Sequence, residues 1–140
     1  MKKFLPIIFW VMVCEAVGLA ATPFTVSAIP NWYAALNKPF FSPPNWIFGP
    51  VWTILYFLMG ISAGIAKKIP TVFYIQLFLN FLWSILFFGL RSPILGLLDI
   101  LLLWYFIYQT ILKLKNNLLW PYLLWVSFAT ILNLGIVVLN

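Results

Sequence analysis

The chain has 140 residues, of which 65% are hydrophobic, 20% are aromatic and only 7% carry a charge. It has no histidine, one cysteine and two acidic residues, so it lacks the side chains of a histidine-assisted nucleophile or of a zinc or di-iron site. This composition predicts an integral membrane protein without hydrolytic or metal chemistry.

Five apolar runs are long enough to cross a bilayer, which takes about 20 residues in helical form. They cover residues 4–22, 46–66, 71–90, 93–112 and 118–139. We therefore predict a single all-α membrane domain over residues 1–140, a bundle of five transmembrane helices with an ordered loop at 23–45 between helices 1 and 2. A secretory signal is the alternative for the first run, but Glu15 interrupts it and no water-soluble domain follows.

The basic residues predict the orientation in the membrane. If the five spans alternate, Lys2, Lys3, Lys67, Lys68, Lys113 and Lys115 share one side, and Lys38 and Arg91 lie on the other. The positive-inside rule then places the N-terminus in the cytoplasm and the C-terminus outside, and the bias suits a prokaryotic cytoplasmic membrane. The basic residues form no patch that would bind nucleic acid.

The connection between the first two spans is unusually aromatic and proline-rich, as residues 32–52 read WYAALNKPFFSPPNWIFGPVW. Solvated loops are richer in small polar residues, so we expect an ordered lid over an apolar site. Asn31 is predicted to cap a short helix at 32–36. Ser42 is predicted to cap the second span, with the prolines at 43–44 in its first turn.

Three spans carry stripes that combine a large ring, a small residue and a polar group at helical spacing. The stripes are Gly49, Trp52, Thr53, Tyr56 and Gly60 on span two, Asn80, Trp83, Ser84 and Phe87 on span three, and Trp125, Ala129 and Asn133 on span five.

These stripes have two interpretations. Gly60 and Gly64 have the GxxxG spacing of closely packed membrane helices, which favours packing for that pair. Trp52, Asn80 and Trp125 suit equally the wall of a cavity in which rings sandwich an apolar ligand. The predicted lid favours the cavity.

Several segments closely resemble the TspO/MBR family of tryptophan-rich sensory proteins and translocator proteins. They are WYAALNKP at 32–39, SPPNWIFGPVW at 42–52, YFLMG at 56–60, NFLWSILFFG at 80–89 and PYLLWVSFATILN at 121–133. The resemblance covers essentially the whole chain, with its motifs in the family's order.

The resemblance implies a five-helix bundle, often a homodimer, with a pocket below the first loop that binds porphyrins, sterol-like lipids and synthetic aromatic drugs. No cofactor is required, and protoporphyrin or haem is the expected ligand. By motif, Trp32 resembles the lid tryptophan, Trp52 and Trp125 resemble wall rings, and the remaining ligand-contact positions are Tyr56, Asn80, Trp83 and Ala129. Some members are proposed to degrade protoporphyrin in light, which makes Trp52 and Trp125 the catalytic candidates.

The chain departs from the family pattern in two places. Phe40 and Phe41 stand where many members have a tryptophan before the SPP-like segment. The end of the chain lacks the tyrosine and basic residue of the animal cholesterol motif, and only a reversed version, from Lys68 to Leu77, is present. A lid of different selectivity and no high-affinity cholesterol site are therefore expected.

Both acidic residues lie inside spans, where an ionisable group is a functional candidate. We expect Asp99 to form a structural pair with Arg91, and Glu15 to be neutral or bonded to a neighbouring helix or a dimer partner. The predicted function is a membrane receptor for porphyrins and other apolar aromatic or sterol-like ligands. A transporter of porphyrin or lipid is the alternative, and a structural or regulatory partner with a vestigial pocket is a third.

Overall fold

The computed structural model describes residues 2–140, and this part of the chain contains five helices long and apolar enough to span a membrane. Helix α1 covers Phe4–Ala28 and continues as a π-helical segment at Ile29–Tyr33, and a 3-10 turn at Asn45–Ile47 leads into α2 at Phe48–Ile65. Helix α3 covers Thr71–Ser84 and continues as a second π-helical segment at Ile85–Gly89. Helix α4 covers Pro93–Leu114, and α5 covers Trp120–Leu139. The predicted all-α bundle of five transmembrane helices is confirmed.

The first helix is longer than the sequence predicts. It was expected to end at residue 22, but it passes through Pro23 and stays helical to Tyr33. Membrane helices tolerate proline because neighbouring groups and local adjustments satisfy the freed backbone carbonyls. The predicted loop at 23–45 is therefore wrong in its first half, and the connecting segment is residues 34–44.

The predicted caps at both ends of this connection are also wrong. Asn31 lies inside the π-helical segment, whose N-terminus is at Ala28 and has no side-chain cap. Pro44 is extended (φ −59°, ψ 145°) and precedes the 3-10 turn, so the proline pair does not form the first turn of α2, and Ser42 caps nothing. Instead, the Lys38 ammonium donates hydrogen bonds to the carbonyl of Tyr33 (2.9 Å) and of Leu36 (3.2 Å), where a cation stabilises a helix C-terminus.

The two π-helical segments alter which side chains face inward. Pro30 is the second residue of the first segment and lacks the N–H that would bond to the carbonyl four residues earlier. In the second, the N–H of Leu90 bonds to the carbonyl of Ile85 (2.7 Å), and the consecutive rings of Phe87 and Phe88 are both buried. A π turn holds more residues than an α turn, so the 3.6-residue spacing does not carry across it.

Backbone contact joins α1 to α2 at the end of the bundle that carries the N-terminus. A Cβ atom on Gly60 would lie 2.3 Å from Cα of Val11, and one on Gly64 would lie 2.4 Å from Cα of Ile7. No side chain fits in either place. The packing role predicted for the GxxxG pair is confirmed.

Hydrogen bonds fasten the two ends of the bundle. At the end with the N-terminus, the side chains of Ser62 on α2 and Asn116, between α4 and α5, bond to each other (3.1 Å from Asn116 Nδ2 to Ser62 Oγ). At the opposite end, Asn140 Nδ2 donates to the carbonyl of Asn37 (2.8 Å), and the ring of Pro39 packs against Gly135. The connecting segment thus lies on the end of α5.

The expected pair between Asp99 and Arg91 does not form. Asp99 is only 4% exposed, and neither carboxylate oxygen has a hydrogen-bond partner among the described residues. Arg91 is exposed at the turn between α3 and α4, with φ at 54°. That left-handed turn gives Arg91 a place on the surface, while Asp99 lies on the buried face of α4.

Replacing Gly60 by alanine tests the backbone contact between α1 and α2. We expect Gly60→Ala to lower the free energy of unfolding by about 1–3 kcal/mol, because the new methyl group overlaps the backbone of Val11. The matched control is Gly49→Ala on the same helix, where a Cβ meets nothing within 4 Å. Unfolding in mixed micelles, followed by tryptophan fluorescence, measures both; equal stability of the two variants would contradict the close packing.

Candidate functional site

A cavity of about 350 Å³ lies within the bundle, toward the end that carries the connecting segment. All five helices contribute to its wall, which is mostly apolar. The rings on the wall belong to Tyr33, Phe48, Trp52, Tyr56, Trp83, Phe87, Phe88 and Trp125. Its volume is in the range of small-molecule sites, about 300–1,000 Å³.

The wall includes every predicted ligand-contact residue except Trp32. Those residues are Trp52, Tyr56, Asn80, Trp83, Trp125 and Ala129. The stripes on spans two, three and five meet here because α2, α3 and α5 turn them toward the same space. Gly60 is the one stripe residue outside the wall, since it packs on α1.

The two tryptophans singled out as catalytic candidates are held by other rings. Trp52 packs against Tyr122 (ring centroids 6.2 Å apart, edge to face) and Tyr56 (5.7 Å). Trp125 packs edge to face against Phe48, with centroids 6.0 Å apart. Such pairs stabilise a fixed ring orientation, so the faces that line the cavity are in place without a ligand.

Trp83 is held still more firmly. Its ring stacks on Phe87 with centroids 4.8 Å apart and an angle of 16° between the planes. Its indole N–H donates to Oδ1 of Asn133 (3.1 Å), whose amide nitrogen donates to the carbonyl of Pro93 (2.9 Å). Trp83 therefore links α3, α4 and α5 at the cavity wall.

Asn80 is the centre of a buried hydrogen-bond network below the cavity. The Tyr56 hydroxyl donates to its Oδ1, and its Nδ2 donates to the Tyr122 hydroxyl (2.7 Å). Tyr122 in turn donates to Oε1 of Gln76 (2.8 Å), and Nε2 of Gln76 contacts the sulfur of Met59 (3.5 Å). The network fixes the amide of Asn80, which keeps one N–H and one lone pair for a ligand.

Trp32, the predicted lid tryptophan, is not among the residues that line the cavity, and its role in the lid stays a prediction. Its ring packs edge to face on the outer side of Phe87, with centroids 5.5 Å apart. The neighbouring Tyr33 is buried, lines the cavity and lies below the Lys38 ammonium (4.8 Å to the ring centroid). Because the π-helical segment shifts the spacing here, the adjacent ring takes the inward position.

Sequence reasoning missed the contribution of α1. Glu15, Gly18, Thr22, Thr25 and Ile29 all line the cavity from this helix, at spacings of three or four residues. The 3.6-residue period could have found them, but the prediction ended the helix at residue 22. Phe48 was also missed, although it lies one residue before the Gly49 stripe.

The wall carries one acidic side chain and no lysine or arginine. That acid is Glu15, and none of the hydrogen bonds among residues 2–140 involves its carboxylate. It was expected to be neutral or bonded to a neighbouring helix or a dimer partner; within the described residues it lines the cavity. One turn further along α1, toward the connecting segment, Gly18 makes room for the ring of Tyr56, whose Cε2 lies 2.6 Å from the position of a Cβ on Gly18.

The fold and the cavity define an integral membrane protein of five helices that encloses a ring-walled apolar cavity. A family model described as the TspO/MBR family matches residues 10–139. The chain belongs to this family, which confirms the resemblance seen in its motifs and is consistent with a membrane receptor or binding role.

Relatives from distant organisms match over most of their length. A tryptophan-rich protein TspO of Archaeoglobus fulgidus is 47% identical over an alignment of 138 residues, and the match covers 89% of this chain and 90% of the relative. A second tryptophan-rich protein TspO, from Chlorobaculum tepidum, is 43% identical over an alignment of 157 residues, and the match covers 99% of this chain and 98% of the relative. The human translocator protein is 38% identical over an alignment of 124 residues, and the match covers 74% of this chain and 71% of the relative.

Removal of the Tyr122 hydroxyl tests the buried network. Tyr122→Phe leaves Nδ2 of Asn80 and Oε1 of Gln76 without the hydrogen bonds that they make to this hydroxyl, so we expect the free energy of unfolding to fall by about 1–2 kcal/mol. Tyr105→Phe, on the exposed face of α4, is the control and should change it by no more than about 0.5 kcal/mol. Chemical unfolding in micelles measures both, and an unchanged Tyr122→Phe protein would show that the network adds nothing.

Proposed function

We propose that this protein is a membrane receptor that binds flat apolar ring systems, with tetrapyrroles such as protoporphyrin as the leading ligand class. The observation that carries the proposal is a preformed cavity whose wall has eight aromatic rings contributed by four of its five helices. Flat ligands gain most from such a wall, because aromatic faces stack on them in addition to burying apolar area.

The polar groups of the wall favour a defined ligand orientation. Glu15 and Asn80 line the cavity, Asn80 has one N–H and one lone pair beyond its bonds to Tyr56 and Tyr122, and no basic side chain is on the wall. A porphyrin carboxylate therefore has no cationic partner inside and would be repelled by an ionised Glu15. We infer that the ring system enters first and the carboxylates stay at the opening.

Transport is the second candidate function, supported by the name of the translocator proteins among the relatives. Proteoliposomes loaded with protoporphyrin on one side separate the two functions. Ligand that binds but does not cross the membrane supports the receptor, and ligand that crosses in a protein-dependent manner supports the transporter.

The proposed orientation has the N-terminus in the cytoplasm of a prokaryotic cell. The helix ends that carry Lys2, Lys67 and Lys113 lie at one end of the bundle, as the Ser62–Asn116 bond and the α1–α2 contact require. The positive-inside rule places that end in the cytoplasm. The cavity then lies in the outer half of the membrane.

A homodimer is also part of the proposal. An apolar groove between α1 and α3 lies on the outer surface of the bundle and includes Ala16, Ala20, Leu77 and Phe81. Small residues on a membrane helix let a second helix approach closely, so this groove is the proposed contact between two copies.

Filling the cavity tests the binding site. Ala129→Phe adds a ring to the wall, so we expect the affinity for protoporphyrin to fall about tenfold or more, which corresponds to at least about 1.4 kcal/mol. The control is Leu124→Phe, on the exposed face of the same helix. Titrations followed by tryptophan fluorescence, with protoporphyrin, haem and a sterol in parallel, measure affinity and rank the ligand classes. Equal affinity of both variants would place the ligand elsewhere.

Light-dependent loss of protoporphyrin is a second property that the wall tryptophans make testable. Excited porphyrin in air generates reactive oxygen, and Trp52 and Trp125 are the indoles that line the cavity from α2 and α5. We expect the combined variant Trp52→Phe with Trp125→Phe to lose most of the protein-dependent change in porphyrin absorbance under illumination. Trp46→Phe, an exposed ring, is the control. Equal rates of absorbance change in the wild type, the combined variant and the control would contradict this role.

A further inference from the structure

We propose that the cavity opens sideways to the bilayer, through a portal between α1 and α2, and that its ligands enter from the lipid phase. The portal consists of the exposed part of the cavity wall: Leu19, Thr22 and Val26 on α1, and Asn45, Gly49 and Thr53 on the 3-10 turn and α2. This inference rests on the proposed ligand function and adds the route and physical state of the ligand.

The exposure of the wall residues locates the opening. Leu19 is 72% exposed and Val26 is 60% exposed, although both line the cavity. Every wall residue on α3, α4 and α5 is buried or only partly exposed. The cavity is therefore closed on three sides of the bundle and open on the side of α1 and α2.

The lower limit of the portal is set by close packing. From Tyr56 downward α1 and α2 touch, first through the Tyr56 ring on Gly18 and then through the backbone contacts at Gly60 and Gly64. Two turns above Tyr56, at Gly49, a Cβ atom would meet nothing within 4 Å, and this residue is exposed.

The end of the bundle that carries the connecting segment is closed by hydrogen bonds and packing, in contrast to the side between α1 and α2. The connecting segment bonds to the end of α5 through Asn37 and Asn140, with distances of 2.8 and 3.2 Å. Pro39 also packs into the space left by Gly135. A route through this end requires those contacts to break, whereas no hydrogen bond among residues 2–140 joins the portal residues of α1 to those of the 3-10 turn and α2.

The chemistry of the portal suits an apolar solute coming from lipid. Its two hydroxyls are already satisfied within their own helices, since Thr22 Oγ1 donates to the carbonyl of Gly18 (3.0 Å) and Thr53 Oγ1 donates to that of Gly49 (2.9 Å). No portal hydroxyl needs water, and no lysine or arginine lines the opening. The ligand class is a membrane-dissolved amphiphile with a flat apolar ring system.

Two reversible cross-links separate the side route from the end route. In a Cys14→Ala background, the pair Thr22→Cys with Thr53→Cys closes the portal, and the pair Asn37→Cys with Asn140→Cys locks the connecting segment to α5. A cleavable bis-maleimide joins each pair in protein reconstituted in nanodiscs, and each uncross-linked protein is its own control. Vesicles preloaded with protoporphyrin supply the ligand, and quenching of tryptophan fluorescence follows its arrival.

We expect the portal cross-link to slow both arrival and release at least about tenfold and the end cross-link to change them less than about twofold. Cleavage of the linker restores the original rate. Slowing by the end cross-link alone, or by neither, overturns the portal. Absence of any quenching in the uncross-linked proteins is a different result, because it overturns the proposed ligand.

A second measurement tests the portal without a ligand. In the same background, Ala129→Cys places a single thiol on the cavity wall. We expect a lipid-dissolved pyrene maleimide to label this thiol much faster than a charged thiosulfonate reagent in water does. A triple variant that also carries Thr22→Cys and Thr53→Cys is cross-linked at the portal before labelling. We expect this cross-link to abolish the difference between the two labelling rates. Faster labelling by the aqueous reagent would overturn the portal.

Discussion

The contact between the backbone of α1 and the glycines of α2 is the constraint on which the rest of the molecule depends. Within a bilayer, helices do not associate by excluding water, so close van der Waals contact is the main source of their attraction. Gly60 and Gly64 permit that contact on Val11 and Ile7. Above these contacts the Tyr56 ring packs on Gly18, and both residues line the cavity. The cavity therefore begins where the backbone contact between the two helices gives way to side-chain contact.

The floor of that space is rigid for a different reason. Buried polar groups in a membrane have no water to bond to, so they must satisfy one another. Tyr56, Asn80, Tyr122 and Gln76 do so across α2, α3 and α5. Since each amide is engaged by a neighbouring helix, its orientation does not depend on a ligand. Packing at one end and hydrogen bonds at mid-depth together leave only the side of α1 and α2 open.

Sequence patterns predicted the spans and the wall residues correctly wherever they fell within a regular α-helix. Apolar length predicts the spans, and the 3.6-residue period aligns Trp52 with Tyr56 and Trp125 with Ala129 on the wall. The period fails at Ile29–Tyr33, where a π turn places Tyr33 inside and Trp32 outside. The period was not applied to α1, because its stripe of Glu15, Gly18, Thr22 and Thr25 carries no large ring and the predicted end at residue 22 cut that stripe short. Arg91 and Asp99 were paired from their proximity in the chain, but a left-handed residue sends Arg91 outward.

The distribution of charge on the cavity wall connects the selectivity of the site with its opening. The interior has rings on most sides, one carboxyl at Glu15 and no cation, so the selectivity that we propose rests on flatness and apolar area far more than on charge. An anionic group on a ligand gains nothing by entering. If the opening led directly to water, any dissolved aromatic could reach it; because it faces lipid, the bilayer first selects for apolar solutes. In the proposed receptor, selection by the membrane and selection by the rings act in sequence, and neither requires a basic residue on the cavity wall.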